Sequence, residues 1–364
     1  MKDISKLRIL FDGPFYSKPD AGIARYFNNL SRKLSNDHEV HFSRRLDCSQ
    51  QKEIKLPTIR HFRPHRFSFQ FEKLWFQFFN DSHFDIVHLV EYEPSPTGLF
   101  FLNRGSKLVI TIHDLIHEQI GAPLNLLDRN KRLNLYEKAD ALIFDSHSTK
   151  YDFQKIYPAV CLEKKANSVI WLGCTFDALE THSKNKKHQF IFVGARNGYK
   201  NFKTAFRAFE RYASIHKDAR FIVVGAPPSP DEEEMVLPNK GKVTWINDAT
   251  DQELKELYKE SIALLYLSRK EGFGLPLVEA MSMGCVPLAG NHSSISEVLE
   301  NDGVFVDEND PVDVMQKMEE LFYNEEFRRS KIHSGYERSK IFSWEKTSKE
   351  MNSLYGSLID IESP

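Results

Sequence analysis

The stretch Ser268–Gly284, SRKEGFGLPLVEAMSMG, gathers residue types that could do chemistry. An apolar strand pattern ends at Ser268, Gly272 and Gly274 lie in the loop that follows, and Pro276 falls where a helix should begin. Proline suits the opening of a helix because its missing N–H would be unpaired there anyway, and Gly284 suits the exit. Such a loop offers free backbone N–H groups and the positive end of a helix dipole to an anion, phosphate above all. Glu271 stands in the loop and Glu279 in the helix. Carboxylates only accept hydrogen bonds, so beside an anion they need other donors, and sugar hydroxyls qualify. The plain alternative is a pair of solvated surface glutamates. Arg196 and Lys200 follow another strand pattern in FVGARNGYKN. Two cations at a strand's carboxyl end suit phosphate, although two cations in a polar loop are commonplace. His113 and His117 are spaced i, i+4 beside Asp114 and Glu118, a metal pattern if helical. The strand pattern TIHD argues against a helix at His113, so no metal is expected.

These residues need elements to hold them. Apolar runs recur at KLRILFDG, DIVHLV, KLVITIHD, ALIFDS and SVIWLG, then at QFIFVGA, RFIVVGA, KVTWIND, IALLYLS, CVPLAG and GVFVDE. Several lack polar alternation, as parallel strands covered on both faces do. Between them lie helical patterns: Phe202, Ala205, Phe206, Phe209 and Tyr212 form one apolar stripe. Thr250 with Glu253, and Ser294 with Glu297, match the capping box. Strand–helix alternation in two halves predicts an α/β fold of two doubly wound Rossmann-like domains. The polar, aperiodic segment 174–189 reads as the linker between an N-terminal domain, 1–173, and a C-terminal domain, 190–340. Ligands of such sheets bind at the carboxyl ends of the strands, so the site is expected to draw on both halves.

Composition narrows the classes. The chain has 364 residues, 41% of them hydrophobic, a net charge of −2, and no basic excess of the kind that nucleic-acid binding requires. No apolar run is long enough to span a membrane, and the N-terminus lacks a signal-peptide pattern. Cys48, Cys161, Cys174 and Cys285 are scattered, as reduced thiols in a cytoplasmic protein would be. The motifs of nicotinamide dehydrogenases, P-loop kinases and serine hydrolases are absent. Residues 60–80 turn from basic to strongly aromatic, with a stripe Phe71, Leu74, Trp75, Phe78 and Phe79. The stripe suits core packing better than a membrane surface.

EGFGLPLVE resembles the two-glutamate signature of the retaining family-4 glycosyltransferases. Their GT-B architecture is two facing Rossmann-like domains with a cleft between them. FVGARNGYKN is similar to the family's second-domain entry, DAGIARYFNNLSRKL to its first-domain loop with a single glycine, and TIHDLIHE to its strand-end His-Asp. FSWEKTSKEMNSLY resembles the final helix, which would return residues 341–364 to the first domain. The resemblance implies that Arg196 and Lys200, with Gly22 and the amides of Gly274 and Leu275, bind the donor diphosphate. Glu271, Gly272, Phe273 and Glu279 would hold the donor sugar and ribose, and His113 would face the reacting sugar, so His113 and Glu271 are the catalytic candidates.

The activity so implied is retaining transfer of a hexose from a nucleotide diphosphate sugar to a glycan or lipid-linked glycan hydroxyl in polysaccharide assembly. GDP-mannose is the first expectation for the donor and a UDP-sugar the second, with base selection around Trp245–Thr250. No cofactor or metal is expected. The acceptor region is expected within residues 40–105, and the setting is cytoplasmic or peripheral at the membrane's inner face. A nucleotide-sugar 2-epimerase and a non-catalytic nucleotide-sugar-binding subunit remain the alternatives.

Overall fold

Strands that are apolar on both faces must be covered on both, and two parallel sheets provide that cover here. The computed structural model describes residues 6–12, 22–42, 83–90, 94, 99, 101–120, 126–176, 186–196 and 198–360. Cys48, the segment 60–80, Ala21 and most of the expected acceptor region lie outside the described residues. The chain divides into two units, one of residues 1–173 with 344–364 and one of residues 174–343.

The first unit carries β1 (Arg8–Asp12), β2 (Glu39–Phe42), β3 (Ile86–Leu89), β4 (Lys107–Ile112), β5 (Ala141–Phe144) and β6 (Ala166–Val169) in the order β2-β1-β3-β4-β5-β6. All neighbours are parallel. Every residue of β3 and β5 is buried, in a core that includes Val87, Ile110, Leu142 and Phe144. The helix Trp344–Asp360 belongs to this unit. Thr347 Oγ1 donates to Trp171 O at 2.7 Å, and His88 Nδ1 pairs with the Tyr355 hydroxyl at 2.6 Å. Gly173 is required at this docking: a Cβ there would sit 2.3 Å from the Trp344 nitrogen.

The second unit carries β7 (Gln189–Val193), β8 (Arg220–Val224), β9 (Val243–Ile246), β10 (Ala263–Tyr266), β11 (Val286–Gly290) and β12 (Val304–Val306), ordered β12-β11-β10-β7-β8-β9 and again parallel. The predicted stripe Phe202, Ala205, Phe206, Phe209 and Tyr212 is buried along the helix Phe202–Ile215. In each sheet the strand order reverses once, between β1 and β3 and between β7 and β10. Ligands of doubly wound sheets bind outside the carboxyl ends of the strands at such reversals.

Four local readings change. The strand EVHF was not anticipated, because four residues with two polar ones leave little period to detect. Of the span 174–189, residues 177–185 lie outside the described residues and Gln189 already opens β7. Thr250 and Glu253 do form a capping box, but Ser294 and Glu297 do not. That helix begins at Ser293 after His292, and the Ser294 hydroxyl is used elsewhere. The helix opened by proline begins one residue earlier than expected, at Leu275, with Pro276 in its first turn.

Candidate functional site

In the second unit the reversal lies between β7 and β10, and the loops leaving these strands carry Arg196, Lys200 and Glu271. Lys200 ends a short turn, Gly198–Lys200, which is fixed by the Arg269 N–H donating to Tyr199 O at 2.8 Å. Its Nζ donates to Glu271 Oε1 at 2.6 Å, with the two side chains 16% and 8% exposed. The ammonium also lies 5.5 Å from the centre of the Tyr266 ring at the end of β10. Burial, then the Glu271 carboxylate beside it, raises the Tyr266 hydroxyl well above its ordinary pKa, so it stays protonated.

The Glu271 loop is clamped from the start of the helix that follows β11. Ser293 and Ser294 both donate their hydroxyls to Glu271 O at 3.0 Å. Ser293 does so from a left-handed backbone, φ 56°. Gly274 then caps the helix Leu275–Ser282 at φ 106°, a region open to glycine. This leaves the first amides of the helix at the carboxyl end of β10. Glu279, in the second turn, is 1% exposed. Phe273 is buried, its ring 5.7 Å from Phe342.

Arg196 is placed differently from a free cation. Its Nε donates to Glu232 Oε1 at 2.8 Å and its Nη2 to Pro227 O at 2.8 Å. Nη1 is buried with no hydrogen-bond partner among the described residues. The guanidinium lies over Trp245 and Phe202, 5.1 and 5.8 Å from the ring centres. Burial opposes the charge on Glu232, but the hydrogen bonds from Arg196 and Ser229 outweigh it and hold the carboxyl below its ordinary pKa. Glu232 was not anticipated; its Ser229 capping box is visible in the sequence, but its pairing with Arg196 across the strand ends is not.

In the first unit His113 follows β4, 9% exposed, with its Nδ1 2.7 Å from Asp145 Oδ2. Asp145 was also unanticipated. It ends the apolar run ALIF, a position where a charged residue at the carboxyl end of a buried strand is itself a signal. Asp114 Oδ1 accepts from the Ile116 N–H at 3.1 Å, opening the short helix Ile116–Gln119. Glu118 pairs with Arg132 at 2.5 Å and His117 is exposed. Among the described residues no three His, Cys, Asp or Glu side chains gather as a metal site. Gly22 is exposed and opens the helix Gly22–Leu34, and a Cβ there would meet nothing within 4 Å.

Comparison with known proteins identifies the class. Residues 176–338 match the model of the glycosyl transferases group 1, and residues 21–163 match that of glycosyltransferase family 4. An uncharacterized glycosyltransferase of Methanocaldococcus jannaschii is 30% identical over 76% of this chain and 86% of its own length. The chain belongs to this glycosyltransferase family. O-antigen chain mannosyltransferase B of Escherichia coli is 29% identical over 69% of this chain, which spans 60% of that relative. An O-antigen chain mannosyltransferase of Salmonella typhimurium is 30% identical over 35% of this chain and 36% of its own length. Among solved structures, sucrose-phosphate synthase from Thermosynechococcus elongatus aligns with a TM-score of 0.76 at 18% identity, covering 98% of this chain and all of that one. Anabaena HepE in complex with UDP and glucose aligns at 0.77 and 15%, over 96% of this chain and all of that one. The fold is that of the GT-B glycosyltransferases.

Proposed function

We propose that this protein is a retaining, metal-independent transferase that moves mannose from GDP-mannose to a hydroxyl of a glycan or lipid-linked glycan in polysaccharide assembly. The observation that carries the reading is the grouping, at the β7/β10 reversal, of Lys200 and Glu271 with the helix start at Gly274 and Leu275. The names of the two O-antigen mannosyltransferase relatives support the sugar. Lys200 and Arg196, with the Gly274 and Leu275 N–H groups, take the diphosphate charge; Nη1 of Arg196 has a bond to give. Glu271, with the Gly272 and Phe273 main chain, holds the sugar, and Glu279 holds the ribose diol. Gly22 lets backbone approach the donor. His113 bonds a hydroxyl of the transferred sugar.

In the reaction the bond from the sugar's C1 to the phosphate oxygen breaks and the acceptor oxygen bonds C1 on the same face. The acceptor's proton passes to the departing phosphate oxygen. No protein base is required, and electrostatic stabilisation of the leaving group does most of the work. The enzyme acts in the cytoplasm, at the membrane's inner face when its acceptor is lipid-linked.

Thermal shifts with GDP, UDP, ADP and TDP, each with and without a chelator, test the reading. A ligand at ~100 times its Kd adds about 2.7 kcal/mol. GDP is expected to raise the Tm by several degrees irrespective of chelator, and Glu271→Ala or Lys200→Ala to abolish transfer in a folded protein. Stabilisation by UDP alone replaces the donor; silence from all four nucleotides, or full transfer by either variant, overturns the site.

A further inference from the structure

The parallel register of β4 and β5 pairs Ile112 with Phe144. His113 and Asp145, one residue beyond each, therefore leave neighbouring strands at the same level. The contact between His113 Nδ1 and Asp145 Oδ2 is 2.7 Å and both residues are at least nine-tenths buried. An ionised carboxylate can only accept, so Nδ1 carries the hydrogen, and in the Nδ1–H tautomer Nε2 presents a lone pair. That nitrogen is buried and has no hydrogen-bond partner among the described residues.

The described neighbours of the ring do not supply one. Tyr26 and Phe27, from the helix Gly22–Leu34, meet the imidazole edge-on with centroids 5.0 and 5.8 Å away. His88, on β3, spends its nitrogens on Tyr355 and Thr111, and Asp114 accepts from the Ile116 N–H. Leaving a buried acceptor bare costs roughly 1–3 kcal/mol, and native proteins keep few such atoms without a use for them. Asp145 bears a matching burden. Burial pushes its carboxyl up, while the charge and hydrogen bond of His113 act the other way. Each group is tolerable in the interior because of the other.

We propose that Asp145 is a positioning residue for sugar transfer, holding His113 in the Nδ1–H tautomer so that Nε2 accepts a hydrogen bond from a hydroxyl of the bound sugar. The inference rests on the sugar-facing role proposed above for His113. The carboxylate acts through the imidazole and does not itself touch the sugar.

Two measurements on the full chain test it. Nitrogen-15 NMR of the histidine side chains, with His113 assigned by its disappearance in His113→Gln, should show Nδ1 protonated and Nε2 bare near neutral pH. In the kinetic cycle, Asp145→Asn should lower kcat by about 10–100-fold, the scale known for groups that orient metal-ligating histidines, with little change in donor KM. The same substitution should have almost no further effect in a His113→Gln background, because a residue acting through His113 has nothing left to act on. A purely structural cost would persist in both backgrounds. An Nε2–H tautomer, parent-like kcat in Asp145→Asn, or the same loss in both backgrounds overturns the proposal. Parent-like transfer by His113→Gln instead removes the sugar-facing role of His113, and the proposal with it. If the parent protein transfers no sugar at all, the proposed function is what fails, and the tautomer still decides whether Asp145 sets the ring.

Discussion

The pair Lys200–Glu271 makes a quantitative test of how charge is stored at the strand reversal of the second unit. Its 2.6 Å contact joins side chains only 16% and 8% exposed, so Lys200→Met leaves the Glu271 carboxylate in a poorly hydrated loop without its cation. Removing one member of a buried pair costs roughly 3–5 kcal/mol, and the residual exposure of both groups discounts this to about 2–4 kcal/mol. For a unit of this size each kcal/mol moves the Tm by about 2–4 °C, so a fall of about 8 °C is expected. The partner of the removed charge is the source of the penalty, so Lys200→Met combined with Glu271→Gln should recover about half of it or more. Calorimetry of the four proteins of this cycle, each checked for a native circular dichroism spectrum, reads the coupling directly. A fall under ~2 °C in Lys200→Met, or strict additivity in the double variant, refutes the reasoning: the pair would then be screened by water, and a diphosphate would find Lys200 with its charge unspent.

Two further outcomes follow from single residues. Burial, and after it the charge of His113, hold the His88 imidazole at about 3 against an ordinary 6.5. The unfolded chain therefore takes up a proton that the folded one refuses, so this residue's contribution is intact above pH 6.5 and is lost as the pH falls toward 3, at up to roughly 1.4 kcal/mol per unit. His88→Gln should be less stable at pH 7 but lose less between pH 6.5 and 4.5 in urea titrations; equal slopes would falsify the assignment. Gly274 holds φ 106° and a Cβ there would come within 2.9 Å of Leu277 Cδ1, so Gly274→Ala should cost about 1–2 kcal/mol and weaken the nucleotide-induced thermal shift. An alanine variant with the stability and shift of the parent would show that the helix start needs no left-handed cap.

What could be read along the chain and what could not differ in physical kind. Strands such as ALLY and IVHL announce themselves because burial on both faces leaves no polar alternation to confuse them, whereas EVHF, at the sheet edge, carries Glu39 and His41 and looks like loop. The candidate site residues could be nominated for a related reason. Arg196, Lys200, Glu271 and His113 all follow buried strands within a few positions, where a doubly wound sheet delivers its functional groups. Their partners were not legible, because a partner is set by packing across strands. Asp145 lies 32 residues from His113 and reaches it only through the β4/β5 register; Glu232 lies 36 residues from Arg196 and comes from the helix after β8. Ser294 shows the same limit from the other side. Its spacing to Glu297 satisfies a local rule, yet its hydroxyl bonds Glu271 O, 23 residues back in the chain. Local spacing nominates candidate groups; the contact of His113 with Asp145, the pairing of Lys200 with Glu271 and that of Arg196 with Glu232 are properties of pairs, and only the folded sheets bring those pairs together.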